Sequence, residues 1–380
     1  MTTPLKNDEN HPNGHPETGR RVISEPRRTR STLPAASGLR RKVATMRDVA
    51  STANVSVQTV SNYVNGRRDL MGASTQRRVA TAMADLSYHP DQTARNLRSG
   101  RTQTLGFLVL DEHRGFLADP LTDLVLAGVG DVARDGGYGI LIQAALPRVR
   151  NWDLLGPVLD RRVDGAFVIL SGPPDTRAWY VEQLAQREVP FALFDEPVSC
   201  VGAISVMAQN RSGAQALTEH LIRRGHHDIA FIAARVPWPV VEQRFQGYCD
   251  ALNAAGVERR TDCALFEGEL GTSGGAEMAE KLLSLPSPPS AIIASSDLLA
   301  LGALRAARDR ELGVPNDVAV AGFDDFEFAE FVHPALTTVR VPGYEMGRKA
   351  AEMMLDYLER GNIRKHSAVL AVELCVREST

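Results

Sequence analysis

Residues 45–66 read TMRDVASTANVSVQTVSNYVNG and hold Ser56, Gln58, Thr59, Ser61, Asn62 and Asn65 within ten positions. Val60 and Val64 stand four apart, so they share one face of a helix. Gln58, Thr59 and Asn62 then project from the opposite face. Gln and Asn amides carry a donor beside an acceptor, which lets them pair in a bidentate way with an adenine edge. Ser56 precedes the helix, where free backbone N–H groups and the dipole favour a phosphate. Thr59, Ser61 and Asn65 are short polar side chains of the type that fixes register on phosphates. Val57 is placed to touch a thymine methyl or to pack.

A second group of candidates follows apolar runs. Asp195 ends VPFALFD, and Asp297 follows AIIASS. A carboxylate at the C-terminal end of a buried strand sits where α/β sheets bind ligands. Capping the next helix is the competing role for both.

The elements that position these residues are legible in the patterning. Thr45 caps a first helix with Val49, Ala50 and Ala53 on one side, and Asn54 ends it in a left-handed conformation. Ser56 caps a second helix, and the pair forms a helix-turn-helix. Ser74 is read as the cap of a third helix with Val79, Met83 and Leu86 at helical spacing, stopped by Pro90. Beyond residue 102, apolar runs at 105–110, 138–142, 165–170, 190–194, 229–233, 291–294 and 318–322 read as buried parallel strands. Amphipathic stretches near 121–135, 177–187, 211–224, 241–255, 275–285, 298–311 and 344–359 alternate with them. The expected fold is an all-α helix-turn-helix head followed by a body of two doubly wound α/β subdomains.

Charge is divided along the chain. Residues 1–42 carry nine Lys/Arg against four Asp/Glu, and residues 43–102 carry eight against four. The first 102 residues are therefore +9, and the other 278 are −12 within a net charge of −3. A basic module that meets a polyanion, joined to an acidic body that does not, fits this split. Residues 1–42 have no apolar periodicity and are expected to be a disordered basic tail.

The match to a known pattern extends well beyond the first motif. STQRRVATAMADLSYHPDQTARNLRSGRT (74–102), NRSGAQALTEHLIRRGHHDIAFI (210–232), SSDLLALGALRA (295–306), VAVAGFDD (318–325) and HPALTTVRVPGYEMGRKAAEMML (333–355) continue it. Over roughly residues 43–380 the sequence resembles the LacI/GalR family of lactose, galactose and purine repressors. The resemblance implies a periplasmic-binding-protein-like body with an effector in its cleft. It implies a hinge helix over 91–100 that orders in the minor groove, with Leu97 as the wedge between base pairs and Arg95 and Arg98 on phosphates. Arg244 matches the family's effector-binding arginine, and Glu269 stands where the family often has Asp. Asp119 and Pro120 align with an Asn-Pro pair, with Leu121 and Thr122 where aromatics often stand. Phe116 is the candidate replacement for that aromatic platform, and Trp238 is another. Val57 and Asn62 differ from the family at reading positions, so its operators do not transfer base for base.

The resulting division is a tail (1–42), a helix-turn-helix domain (43–90), a hinge (91–102) and an effector-binding and dimerisation body (103–380). Within the body, 104–205 with 326–360 and 206–325 with 361–380 are the expected subdomains. The expected partners are a two-fold symmetric double-stranded operator, a second copy of the chain whose symmetry matches it, and a small effector, a sugar or related metabolite. No cofactor or metal is expected. Cys200, Cys249, Cys263 and Cys375 show no C-x-x-C spacing, and the histidines lack a ligand set.

Catalysis finds no support. G-x-x-x-x-G-K-[ST], a strand-borne G-x-G-x-x-G and a G-x-S-x-G elbow are all missing. An exported sugar-binding protein would need a secretory signal, and the start has no apolar h-region. No apolar run reaches the ~18–20 residues of a bilayer span. A cytoplasmic, nucleoid-associated protein is the expectation.

Overall fold

The structure, a computed structural model, describes residues 44–89, 101–111, 117, 119–146, 152–187, 189–197, 202–235, 238–361 and 366–380. Phe116, Arg95, Leu97 and Arg98, the basic tail and nearly all of the hinge segment lie outside them. The chain divides into two compact units at Pro90.

The first unit is built from α1 (Met46–Thr52), α2 (Val57–Val64) and α3 (Ala73–Asp85). A capping box opens α1: Asp48 N donates to Thr45 Oγ1, and Thr45 N donates back to Asp48 at 2.8 Å. Two orphan helix donors are thereby satisfied. Asn54 follows with φ 47°, as expected of a residue that tolerates the left-handed region. Ser56 caps α2 through Thr59 N. Val49, Ala50, Ala53, Val60, Val79 and Ala82 close the core, and Tyr88 joins them. Ser74 does not cap α3. The cap lies two residues earlier, at Gly72, and Gln76 Nε2 ties the first turn back to Arg68 O and Met71 O.

The second unit contains two parallel sheets. The first runs β11-β5-β4-β3-β1-β2, formed by β1 (Thr104–Leu110), β2 (Gly139–Ala145), β3 (Gly165–Leu170), β4 (Phe191–Phe194), β5 (Ala203–Ala208) and β11 (Ser367–Leu370). The second runs β7-β6-β8-β9, from β6 (Ile229–Ala233), β7 (Ala264–Phe266), β8 (Ala291–Ala294) and β9 (Ala319–Ala321). A short antiparallel pair, β10 (Thr338–Arg340) with β12 (Glu373–Cys375), completes the strands. The principal helices are α4 (Pro120–Asp135), α5 (Pro174–Ala185), α6 (Asn210–Arg223), α7 (Pro239–Ala254), α8 (Thr272–Leu283), α9 (Asp297–Asp309) and α10 (Gly343–Arg360).

Strands β1, β3, β4, β5, β6, β8 and β9 are buried along nearly their whole length, as parallel strands covered on both faces must be, whereas the edge strands β2, β7 and β11 are partly exposed. Helices α4 and α10 meet backbone to backbone. A Cβ on Gly128 would lie 2.0 Å from Tyr344 O, and one on Gly347 would lie 2.0 Å from Val125 O. Only glycine permits that approach. At the entry to the body, the Asp164 carboxylate accepts from Thr102 N, Thr102 Oγ1 and Gln103 N at 2.6, 2.9 and 2.8 Å. The chain is thus clamped just ahead of β1.

The expected subdomain limits need correction. Residues 206–208 and 367–370 belong to the first sheet, because β5 pairs with both β4 and β11. Ala329 and Leu336 instead pack in the core of the second sheet. The first sheet thus extends past the expected limit of about 205 to Ala208 and takes in 367–370, whereas the expected limit of about 325 falls within the stretch 324–340 that links the halves.

Candidate functional site: a recognition helix and a charged cavity

On the head, α2 presents its polar residues unevenly. Val57 is 42% exposed, and Gln58 is exposed beside it. Gln58 Nε2 donates to Asn62 Oδ1 at 3.0 Å, so the two amides form one unit on the outer face. That bond leaves the Gln58 oxygen and the Asn62 amide hydrogens available outward. Ser56 Oγ is engaged by Thr59 N at 3.1 Å and by Thr59 Oγ1 at 2.8 Å. Ser61 departs from the expected phosphate-facing position. It is 6% exposed and accepts from Asn65 Nδ2, because the helix turns it toward the core side beside Val60. Asn65 remains exposed at the end of the helix, and Arg47, Arg67, Arg68, Arg77 and Arg78 of the same unit are exposed.

In the body, a cavity of about 820 Å³, its open mouth included, lies where the ends of the first sheet face α7 and the start of α9. Arg244, on α7, is 2% exposed and makes three hydrogen bonds. Its Nε donates to Asn210 Oδ1 at 2.9 Å, and its terminal nitrogens reach Ser295 O at 2.5 Å and Asp324 Oδ1 at 2.8 Å. Its guanidinium also stacks 3.9 Å from the centre of the Phe323 ring. Asp195 is 5% exposed and adopts φ 54°. Its Oδ1 accepts from Ala208 N and Asn210 Nδ2. Asn210 therefore bridges the two residues that sequence reasoning named, and it was missed. Asp324 was missed as well, although it follows β9 in the sequence GFDD much as Asp195 follows β4.

Burial dominates the electrostatics. It pushes the Asp195 carboxyl up to about 6, against the hydrogen bond from Ala208 N and the pull of Arg244. It raises Asp324 well above the usual carboxylate range despite Arg244. Asp119, the N-cap of α4, lines the same cavity and is raised by the same cause.

The Asp195 shift has a measurable sign. A carboxyl raised in the folded state is held protonated there after the unfolded chain has lost its proton, so its contribution to stability falls as pH rises from about 4 through about 6. Asp195→Asn keeps an oxygen for both donors and removes the buried charge. The variant is expected to melt above the parent at pH 7.5, with the advantage gone by pH 4. An equal gain at both pH values would disprove the assignment.

Two named residues sit elsewhere. Asp297 is fully buried, yet its carboxylate points into the fold. It accepts from Phe326 N at 2.9 Å and Thr338 Oγ1 at 2.6 Å, and Ser296 takes the capping role. Glu269 is exposed, and Leu270 lines the cavity in its place. Trp238 does line the cavity, and its Nε1 is buried with no acceptor among the described residues. The described residues include no group of three or more His, Cys, Asp or Glu side chains arranged to hold a metal. No described helix is long and apolar enough to cross a membrane.

Comparison with known proteins decides the family. Residues 45–91 match the description bacterial regulatory proteins, lacI family, and residues 218–380 match a periplasmic binding protein-like domain. The chain is 30% identical over 339 residues to the HTH-type transcriptional repressor CytR of Escherichia coli (strain K12), covering 89% of this chain and 96% of that one. The chain belongs to the LacI family. Its members are transcriptional regulators and not enzymes, and this one is a DNA-binding transcriptional regulator. Among solved structures, it is similar to the lac repressor dimer bound to operator and the anti-inducer ONPF, with TM-score 0.78, 27% identity, and 89% of this chain and 99% of that one covered. It is also similar to a complex of the transcriptional regulator CelR with cellobiose, with TM-score 0.65, 30% identity, and 89% and 100% coverage. The LacI-family head thus corresponds to the exposed Gln58–Asn62 unit, and its periplasmic-binding-protein-like body holds the cavity.

Proposed function

We propose that this LacI-family chain is a repressor that acts as a homodimer on a two-fold symmetric operator. Each head lays α2 in the major groove of one half-site, and Gln58 and Asn62 read base edges together. Val57 contacts an adjacent methyl group, while Ser56, Thr59 and Asn65 hold the backbone. Ser61 keeps a supporting place through Asn65. Leu97 wedges the minor groove, with Arg95 and Arg98 on flanking phosphates. The observation that carries the reading is the outward Gln58–Asn62 amide pair on a helix whose opposite side is the core of a capped helix-turn-helix.

The body supplies control. A small hydroxylated effector, a sugar or related metabolite, enters the cavity at Asp195 and Arg244. Ligand closure moves the halves of the body and shifts operator affinity by a coupling free energy of about 1–3 kcal/mol, or roughly 5–150-fold. The protein acts in the cytoplasm at the nucleoid. Selection of randomised duplexes by the full chain tests the DNA half of this reading. Enrichment of one palindrome is expected, with a binding constant that falls steeply with salt. Recovery of unrelated sequences with no shared half-site would end it.

A further inference from the structure

The cavity wall is mostly apolar. Leu170, Phe194, Trp238, Val241, Leu270 and Met346 face it alongside further aliphatic side chains. Among the described residues its charged groups are three carboxyls, Asp119, Asp195 and Asp324, and a single guanidinium, Arg244. That guanidinium already donates to Asn210, Ser295 and Asp324. Two of its five N–H donors remain, but its charge is already paired with Asp324 at 2.8 Å. The carboxyls keep free lone pairs, since an ionised carboxylate accepts at about four sites. Asp195 uses one oxygen for both of its bonds. Thr122, Ser295 and Ser296 add hydroxyls to the lining, and the buried Trp238 Nε1 is a donor with no acceptor among the described residues.

A free sugar is polar on nearly every edge and would strand hydroxyls against this wall. A phosphate or carboxylate would find no unpaired cation among the described lining residues, since Arg244 is tied to Asp324. We infer that the effector joins an aryl group to hydroxyl or amino donors and carries no acidic group. The aryl group covers the apolar wall, the donors meet the free carboxyl oxygens, and one acceptor satisfies Trp238. This inference rests on the effector-controlled reading above and, within it, favours a related metabolite over a free sugar.

Four probes test it on the full chain: 2-phenylethanol, 2-phenylethylamine, phenylacetate and glucose. The first three share the aryl group and differ in the head; the fourth lacks the aryl group. At a concentration ten times Kd, a ligand of the folded state raises the folded-to-unfolded ratio about 11-fold, which appears as a rise in Tm. Stabilisation by the alcohol and the amine, and none by phenylacetate or glucose, is the expected result. Methyl spectra of the ¹³C-methionine-labelled chain locate the site, since the Met346 signal, assigned with Met346→Leu, moves on binding. Stabilisation by phenylacetate or glucose alone, stabilisation by none of the four, or binding that leaves Met346 unmoved overturns the inference. Operator affinity measured in parallel separates the two readings. A free sugar that binds and changes operator affinity defeats the aryl class and spares the regulator, whereas failure to bind any duplex defeats the regulator itself.

Discussion

Arg244→Ala is expected to lower the stability of the body by about 3–5 kcal/mol, because it leaves a buried carboxylate without its counter-charge. Asp324 is 5% exposed and makes its ion pair with Arg244 at 2.8 Å. Two further acceptors, Asn210 Oδ1 and Ser295 O, lose their donor at the same time. A shift of the urea midpoint at pH 7, with unchanged slope, measures the loss. The double variant Arg244→Met, Asp324→Asn replaces the pair by uncharged groups of similar reach. It is expected to regain most of the stability, since a buried ion pair contributes little net energy relative to apolar packing. The double variant separates structure from sensing. If it recovers stability yet binds operator indifferently to effector, Arg244 and Asp324 belong to the switch. If it recovers both, the pair is a structural tie and sensing lies elsewhere in the cavity.

The same pair illustrates what a single chain reveals and what it conceals. Apolar runs of four or more residues located β1, β3, β6 and β8 within about one residue, because parallel strands buried on both faces leave no polar alternation. The strand β5 escaped notice because Ser205 interrupts its run. That hydroxyl is buried and donates to Glu196 O. Strands β10 and β12 are three residues each and exist only through the pairing of Thr338 with Cys375 and of Arg340 with Glu373. No local pattern encodes a partner more than thirty residues away.

Asp195 and Asp297 looked alike in sequence, each following a buried strand. Their fates differ because of long-range donors. Asn210 turns the first toward Arg244 and the cavity, whereas Phe326 N and Thr338 turn the second inward. Asp324 obeyed the same strand-end rule and could have been found by it. Asn210 could not, since its position opens a helix and its role depends on where Arg244 lies. In the head the outcome was better. Caps and valine spacing are local signals, and they placed α1 and α2 correctly. The failures there, Ser74 and Ser61, are serines whose hydroxyls had several equivalent local uses.

The second large effect belongs to Gln58. Gln58→Ala is expected to weaken binding to the selected operator by about 1–3 kcal/mol, or roughly 5–150-fold, while affinity for random duplex changes little. Gln58 is exposed and its amide bonds to Asn62 on the outer face, so the head should fold as before. The salt dependence should also persist, because removing an uncharged amide changes no phosphate contact. Asn62→Ala should not add to this loss in full. Gln58 Nε2 is held by Asn62 Oδ1 at 3.0 Å, so either single change disturbs the orientation of the other amide. A double-mutant cycle on operator binding would then show a coupling of about 0.5 kcal/mol or more, the range found for residues in contact. Strict additivity would mean that the two amides read separate bases independently. Equal losses on operator and random DNA would mean that neither reads bases at all, and α2 would then contribute to affinity without contributing to sequence choice.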